Sequence, residues 1–351
     1  MRTRVLIGLI LALLVVVAVI VYPWRSSDSP SAPGASTPAA DTGRPVAGAD
    51  GIGDPYFPRA GNGGYDVTGY DIQIRYDPAT DQLEGDTTIT ARATESLTRF
   101  NLDLKLAASA VTVDGQPAEI RQDGGELQVT PAQPVRAGQP MVVRVSYAGV
   151  PSDIADGDGV AEPWTRTADG AVAVGEPESA AWWYPSNDHP SDKATVAVTA
   201  TVPAGVEAIS NGALLGGPEP AGPGWEKWRW QADEPMATYL VFVAIGQYEI
   251  VRRDTPYGPY LAAYAEGLDP EVAAAARASV EQTPEITGFL AEIFGPYPFD
   301  HLGGVVPDAP TMGFALETQT RPVYGPIFFG FGGDVEVVVH ELAHQWFGNS
   351  V

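Results

Sequence analysis

The residues best suited to chemistry lie in the segment His340-Glu341-Leu-Ala-His344-Gln-Trp-Phe-Gly-Asn-Ser-Val351. Histidines four apart project from one face of an α-helix and can grip a single zinc ion. Glu341 lies beside them, where it can hold a water and take its proton. The chain has only four histidines, so a chance His-Glu-x-x-His string is rare. Two histidines do not complete a catalytic zinc site, which usually takes three protein ligands plus water. The bland alternative, an ordinary amphipathic helix end, uses the same residues.

The histidines converge only if a helix carries them. Val337-Val338-Val339 alone reads as a strand. Asp334 as an N-cap, with Val335, Val338, Val339, Leu342 and Trp346 at helical spacing, predicts a helix instead. Upstream, Asp269-Pro-Glu-Val-Ala-Ala-Ala-Ala opens another helix with an N-cap, a proline at its first position and an acidic first turn. Its apolar pattern runs to about Phe294, with Pro284 kinking or splitting it. From about Pro55 to Arg253 the texture is β. Alternating runs recur at 70–76, 87–92, 141–147 and 194–200, punctuated by turn signals such as Asp114-Gly115 and Asn211-Gly212. The fold class is therefore α+β, with an all-β sandwich or saddle over 55–253 and a mixed region over 254–351.

Acidic residues outnumber basic ones 44 to 20, for a formal charge of −24 over 351 residues. That balance argues against nucleic acid as a partner, because phosphate backbones reward Lys and Arg clusters. The chain has no cysteine, which excludes disulfides and thiolate metal sites. Arg2 and Arg4 precede an apolar run from Val5 to Tyr22, so residues 1–25 read as an uncleaved membrane anchor or, alternatively, a signal peptide. Either reading exports the remainder. Residues 26–54, rich in Ser, Pro, Ala and Gly, read as a disordered linker.

Three separated segments carry a family resemblance. His340-Glu-Leu-Ala-His-Gln-Trp-Phe-Gly-Asn349 resembles the zinc motif of the gluzincin metallo-aminopeptidases, the aminopeptidase N-like family. Gly313-Phe-Ala-Leu-Glu-Thr-Gln-Thr-Arg321 resembles that family's Gly-Ala-Met-Glu-Asn exopeptidase motif, with Phe314, Leu316 and Thr318 replacing its Gly, Met and Asn. The stretch from Glu176 to Ala194 resembles a third segment, ending Phe-Pro-x-x-Asp-Glu-Pro-x-x-Lys-Ala. Pro296-Tyr-Pro-Phe-Asp300 and Gly63-Gly-Tyr-Asp66 are weaker matches. The likeness covers roughly residues 55–351.

The resemblance implies a β-rich N-terminal domain followed by the first part of a thermolysin-like catalytic domain. It implies one zinc per chain on His340 and His344, with Glu341 as general base. Glu317 would bind the substrate's free α-ammonium, seconded by Glu176 from the β domain, with Ala315 in the same substrate-binding stretch. The substrates would be peptides with a free N-terminus, outside the cytoplasm. The family's third zinc ligand, a Glu, and its oxyanion Tyr fall past Val351. A catalytically incomplete fragment that binds zinc or peptide without turnover is therefore the alternative, and an endopeptidase conflicts with Glu317. His189 and His301 read as structural, Trp182, Trp183 and Tyr184 as packing, and Asp188 with Lys193 as a local ion pair.

Overall fold

The computed structural model describes residues 44–154 and 163–351. The expected anchor at 1–25 lies outside the described residues. Among those residues, no helix is long and apolar enough to cross a membrane.

Period-two sequences build the first domain. Along Tyr65–Asp77 the residues Ile72, Ile74 and Tyr76 are buried while Asp71 and Gln73 face solvent. That strand sits at the centre of an eight-stranded sheet. Gln82–Ala93 pairs antiparallel on one side of it and Ala194–Pro203 pairs parallel on the other. Two four-stranded sheets complete the domain: one contains Leu97–Asp103 and the other Val243–Gly246. The four alternating runs expected from sequence all fall within strands.

Two expected boundaries move. Residues 44–54, expected as the end of a disordered linker, are folded: Val46–Ala47 pairs parallel with Leu97–Asp103. The reason is backbone hydrogen bonding, with the Val46 and Gly48 N–H groups donating to the Ser96 and Arg99 carbonyls. The domain boundary expected at 253/254 falls earlier, because Tyr248–Thr255 pairs throughout with Gly258–Ala265 and joins the second domain's sheet. A strand at the start of a mixed domain has the texture of the β domain before it, so composition alone extends that domain too far.

The second domain's sheet has five strands, in the order 248–255, 258–265, 302–306, 323–324, 315–316. Leu302–Val306 is buried at every position, as a strand covered on both faces must be. Gly303 is required there, since a Cβ would lie 1.7 Å from the Leu261 carbonyl oxygen. The crossover between parallel strands 258–265 and 302–306 carries helices α1 (Pro270–Val280) and α2 (Thr283–Phe294). Asp269 caps α1 by accepting from the Glu271 and Val272 N–H groups. Pro284 lies in the first turn of α2, so the expected long helix is split there. Helix α3 (Val335–Ala343) packs against both. Asp334 caps it, and burial of Val338 and Leu342 overrides the strand propensity of the valine run.

The β domain encloses carboxyl groups. Burial pushes both Asp188 and Asp192 up to about 6, from 3.8, and also raises Asp103. Between those values the folded state holds more protons than the unfolded chain, so stability falls as pH rises through that window and levels off above it. Self-repulsion of the acidic excess acts in the same direction. The thermal midpoint is accordingly expected to be several degrees higher at pH 5 than at pH 7.5; calorimetry giving the opposite slope would contradict this account.

Candidate active site

Helix α3 brings the Nε2 atoms of His340 and His344 to 3.3 Å from each other. Two Zn–N bonds of ~2.0–2.1 Å meeting at a tetrahedral angle require an N···N separation of roughly 3.3 Å. The pair therefore fits a single zinc ion, and a donor set of imidazoles suits that metal. Among the described residues no third His, Cys, Asp or Glu joins them.

The residues after α3 hold His344 in place. Phe347 and Gly348 leave helical geometry, Gly348 at φ 122°, and the chain turns back. The Phe347 carbonyl then meets His344 Nδ1 at 3.0 Å. Donation from Nδ1–H leaves the Nε2 lone pair for a metal. Glycine is needed at 348, where a Cβ would add strain and lie 3.3 Å from Nδ1. Trp346 anchors the same segment, its Nε1–H shared between the Gly295 and Pro296 carbonyls at 3.1 Å each. The Pro296-Tyr-Pro-Phe motif is explained by this contact, with Tyr297 edge-on to Trp346 at 5.4 Å.

Glu341 is buried, and its carboxyl is pushed up to about 8, first by burial and then by the charges of Glu317 and Glu176. Glu341 therefore lies within electrostatic reach of both other carboxylates. Glu317 follows the edge strand Ala315–Leu316, which pairs antiparallel with Val323–Tyr324. The two-residue period sends Leu316 into the core and puts Ala315 on the face it shares with Glu317. The zinc-motif residues fix this hairpin directly. Gln345 Nε2 and Asn349 Nδ2 donate to the Glu317 carbonyl at 3.0 and 2.7 Å, and Gln345 Oε1 accepts from Thr320 N–H at 2.9 Å.

Glu176 is exposed, on the β domain after the strand Ala171–Ala173. Although the residue as a whole is exposed, partial desolvation of its carboxyl and the charge of Glu317 raise it, while His344 acts in the opposite sense. The structure thus gathers Glu176, Glu317, Glu341 and His344 from three separate stretches of sequence.

Other expectations resolve locally. The ion pair between Asp188 and Lys193 does not form. Asp188 accepts from the Thr238 hydroxyl at 2.6 Å, and Lys193 Nζ donates to the Asn349 carbonyl at 2.8 Å. Each half of that motif thus bonds a segment that itself contacts Glu317: the turn carrying Tyr239, and Asn349. His189 is a turn residue, its Nδ1 accepting from Ser191 N–H, and His301 is half-buried with its imidazole lowered by burial. Trp182, Trp183 and Tyr184 are core. Sequence reasoning missed Tyr239, whose hydroxyl donates to Glu317 Oε1 at 2.9 Å, and Arg321, buried at the junction of the two domains. Tyr239 lies in an apolar run with no local signal, and Arg321 lay within a quoted motif without a role.

Comparison with known proteins defines the class. The Peptidase M1 N-terminal domain model matches residues 67–240. The crystal structure of an M1 zinc metallopeptidase from Deinococcus radiodurans superposes with a TM-score of 0.76 at 31% identity, covering 86% of this chain and 68% of that one. A mutant of that enzyme was crystallised with a Tyr-Ser-Ala substrate. Glutamyl aminopeptidase of Homo sapiens is 30% identical over 186 residues, covering 50% of this chain and 19% of that protein. Aminopeptidase M1-B of Oryza sativa is 26% identical over 313 residues, covering 80% of this chain and 34% of that protein. The fold is that of a zinc metallopeptidase. The chain belongs to the M1 family of zinc metallopeptidases. It spans about a fifth of the length of the glutamyl aminopeptidases it matches (21% in Rattus norvegicus).

Proposed function

We propose that this chain carries the metal-binding helix and the amine-recognition half of a zinc aminopeptidase, which hydrolyses the first bond of peptides with a free N-terminus. The observation that carries the reading is that Gln345 and Asn349 of the zinc-motif segment donate to the Glu317 carbonyl, while Glu317 and Glu176 both act by charge on Glu341. A protease that cuts at any bond has no use for two extra carboxylates there. An exopeptidase does, because a free α-ammonium must be held a fixed distance from the chemistry.

His340 and His344 would hold one zinc per chain. When bound, zinc supplies Lewis-acid polarisation of the scissile carbonyl. Glu341 takes a proton from the attacking water on a carboxylate oxygen and delivers it to the leaving nitrogen. With a dication bound beside it, Glu341 would be held ionised against the upward push of burial and so able to accept. Glu317, with Glu176 behind it, binds the substrate ammonium. Ala315, whose backbone groups face away from Val323–Tyr324, offers the edge of that strand to the extended peptide. A small side chain at 315 leaves that face open. The apolar run at Val5–Tyr22 supports an extracytoplasmic enzyme, anchored by that segment or released when it is cleaved.

The test is substrate blocking in the full-length protein. Acetylating the amine of a peptide substrate removes the charge that Glu317 and Glu176 recognise. Cleavage is expected to fall at least about a hundredfold in kcat/KM, while chelation removes it for free peptides. Acetylated peptides cut as well as free ones would rule out the exopeptidase reading.

A further inference from the structure

Glu317 is held on two sides by different domains. Its backbone carbonyl is fixed by Gln345 and Asn349 from the zinc-motif segment. Its carboxylate is fixed from the β domain, where the Tyr239 hydroxyl donates to Oε1 at 2.9 Å. Tyr239 sits in a one-turn 3-10 helix, Thr238–Leu240. That turn is pinned in its own right: the Thr238 hydroxyl donates to Asp188 Oδ1 at 2.6 Å, and the Tyr184 hydroxyl donates to the Thr238 carbonyl at 3.3 Å. Both partners are buried.

A carboxylate has two oxygens, and with Oε1 engaged by Tyr239 the second, Oε2, is left for a cation. We propose that Tyr239 is a positioning residue for amine recognition, locking the Glu317 carboxylate so that Oε2 faces the substrate's α-ammonium. The inference rests on the reading of Glu317 as the amine-binding residue and adds how that residue is aimed. A free Glu side chain would lose rotamer entropy on gripping the ammonium; one already held by a donor from a rigid turn does not. Burial and the charges of Glu317 and Glu176 hold the phenol far above its usual range, so the hydroxyl remains a donor throughout neutral pH. Tyr239 also ties amine recognition to the seating of the β domain, since Asp188 and Thr238 set its place.

The experiment is a mutant cycle read by titration calorimetry on the zinc-loaded full-length protein. The two ligands are alanine hydroxamate and propanohydroxamate, which differ only in the amine. Tyr239→Phe is expected to weaken alanine hydroxamate about tenfold, in line with loss of one hydrogen bond to a charged group. Propanohydroxamate is expected to shift less than twofold. In a Glu317→Gln background the same change should alter alanine hydroxamate less than twofold. Glu317→Asp, which draws the carboxylate back from the Tyr239 hydroxyl, should reproduce the loss with Tyr239 intact. The proposal is overturned if Tyr239→Phe weakens both ligands equally, if its effect persists in the Glu317→Gln background, or if it has none. If Glu317→Gln itself leaves alanine hydroxamate unaffected, the amine-binding role of Glu317 falls first, a result distinct from failure of Tyr239→Phe alone.

Discussion

Glu341→Gln in the full-length protein is expected to keep zinc and lose turnover by about 10⁴-fold, the upper end of what a positioned proton acceptor contributes. The substitution is nearly isosteric, and Glu341 is 5% exposed, so packing around α3 is retained. His340 and His344, whose Nε2 atoms already stand 3.3 Å apart, keep their approach because the Phe347 carbonyl and not Glu341 holds the His344 ring. What the amide cannot do is accept a proton from water or carry one to the leaving nitrogen. The same change removes one of three carboxylates whose charges oppose each other. The variant is therefore expected to melt no lower than the parent. Zinc content, thermal midpoint and kcat on one preparation check all three points. Turnover surviving within tenfold of the parent would remove Glu341 from the role of base.

The parts of this arrangement legible in the sequence are those with a local physical signature. Two histidines on one helical face, a capping Asp334 and alternating strands each follow from spacing within a few residues. The family likeness then implies Glu317 and Glu176 as amine ligands, and both act by charge on Glu341. What spacing does not carry is contact between distant segments. Tyr239 and Glu317 are 78 residues apart, and nothing beside either marks the pair. Lys193 illustrates the opposite error: Asp188 is near in sequence and opposite in charge, yet the lysine reaches the Asn349 carbonyl 156 residues away. The tether at 44–54 failed for a similar reason. Its composition offers little to bury, but backbone N–H groups pair whatever the side chains are.

Arg321→Met is the second change with a large expected effect, and it acts on stability. Arg321 is 1% exposed, and among the described residues no carboxylate figures in the charges acting on it. Its guanidinium instead donates to three backbone carbonyls: Leu261 at 3.2 Å, Gly212 at 3.1 Å, and Ser210. Leu261 belongs to the second domain's sheet, while Ser210 and Gly212 flank a turn of the β domain, so one side chain joins the two. Burial lowers its pKa to about 10, which leaves it charged at neutral pH. Methionine fills much of the volume and strands three buried acceptors, for an expected loss of about 4 kcal/mol in chemical denaturation of the full-length protein. Arg321→Lys should recover less than half of that, because one ammonium lacks the planar fork that reaches separate carbonyls. A loss below about 1 kcal/mol for the methionine variant would mean that those carbonyls find water, and that the junction is not held by this residue. The functional consequence follows from position. Arg321 closes the hairpin that begins at Glu317, whose Gln319 carbonyl and Thr320 hydroxyl also bind Asn211 and Gly212. Loosening that hairpin displaces the amine-binding carboxylate while leaving α3 intact, so discrimination between free and acetylated peptides should erode before zinc is lost.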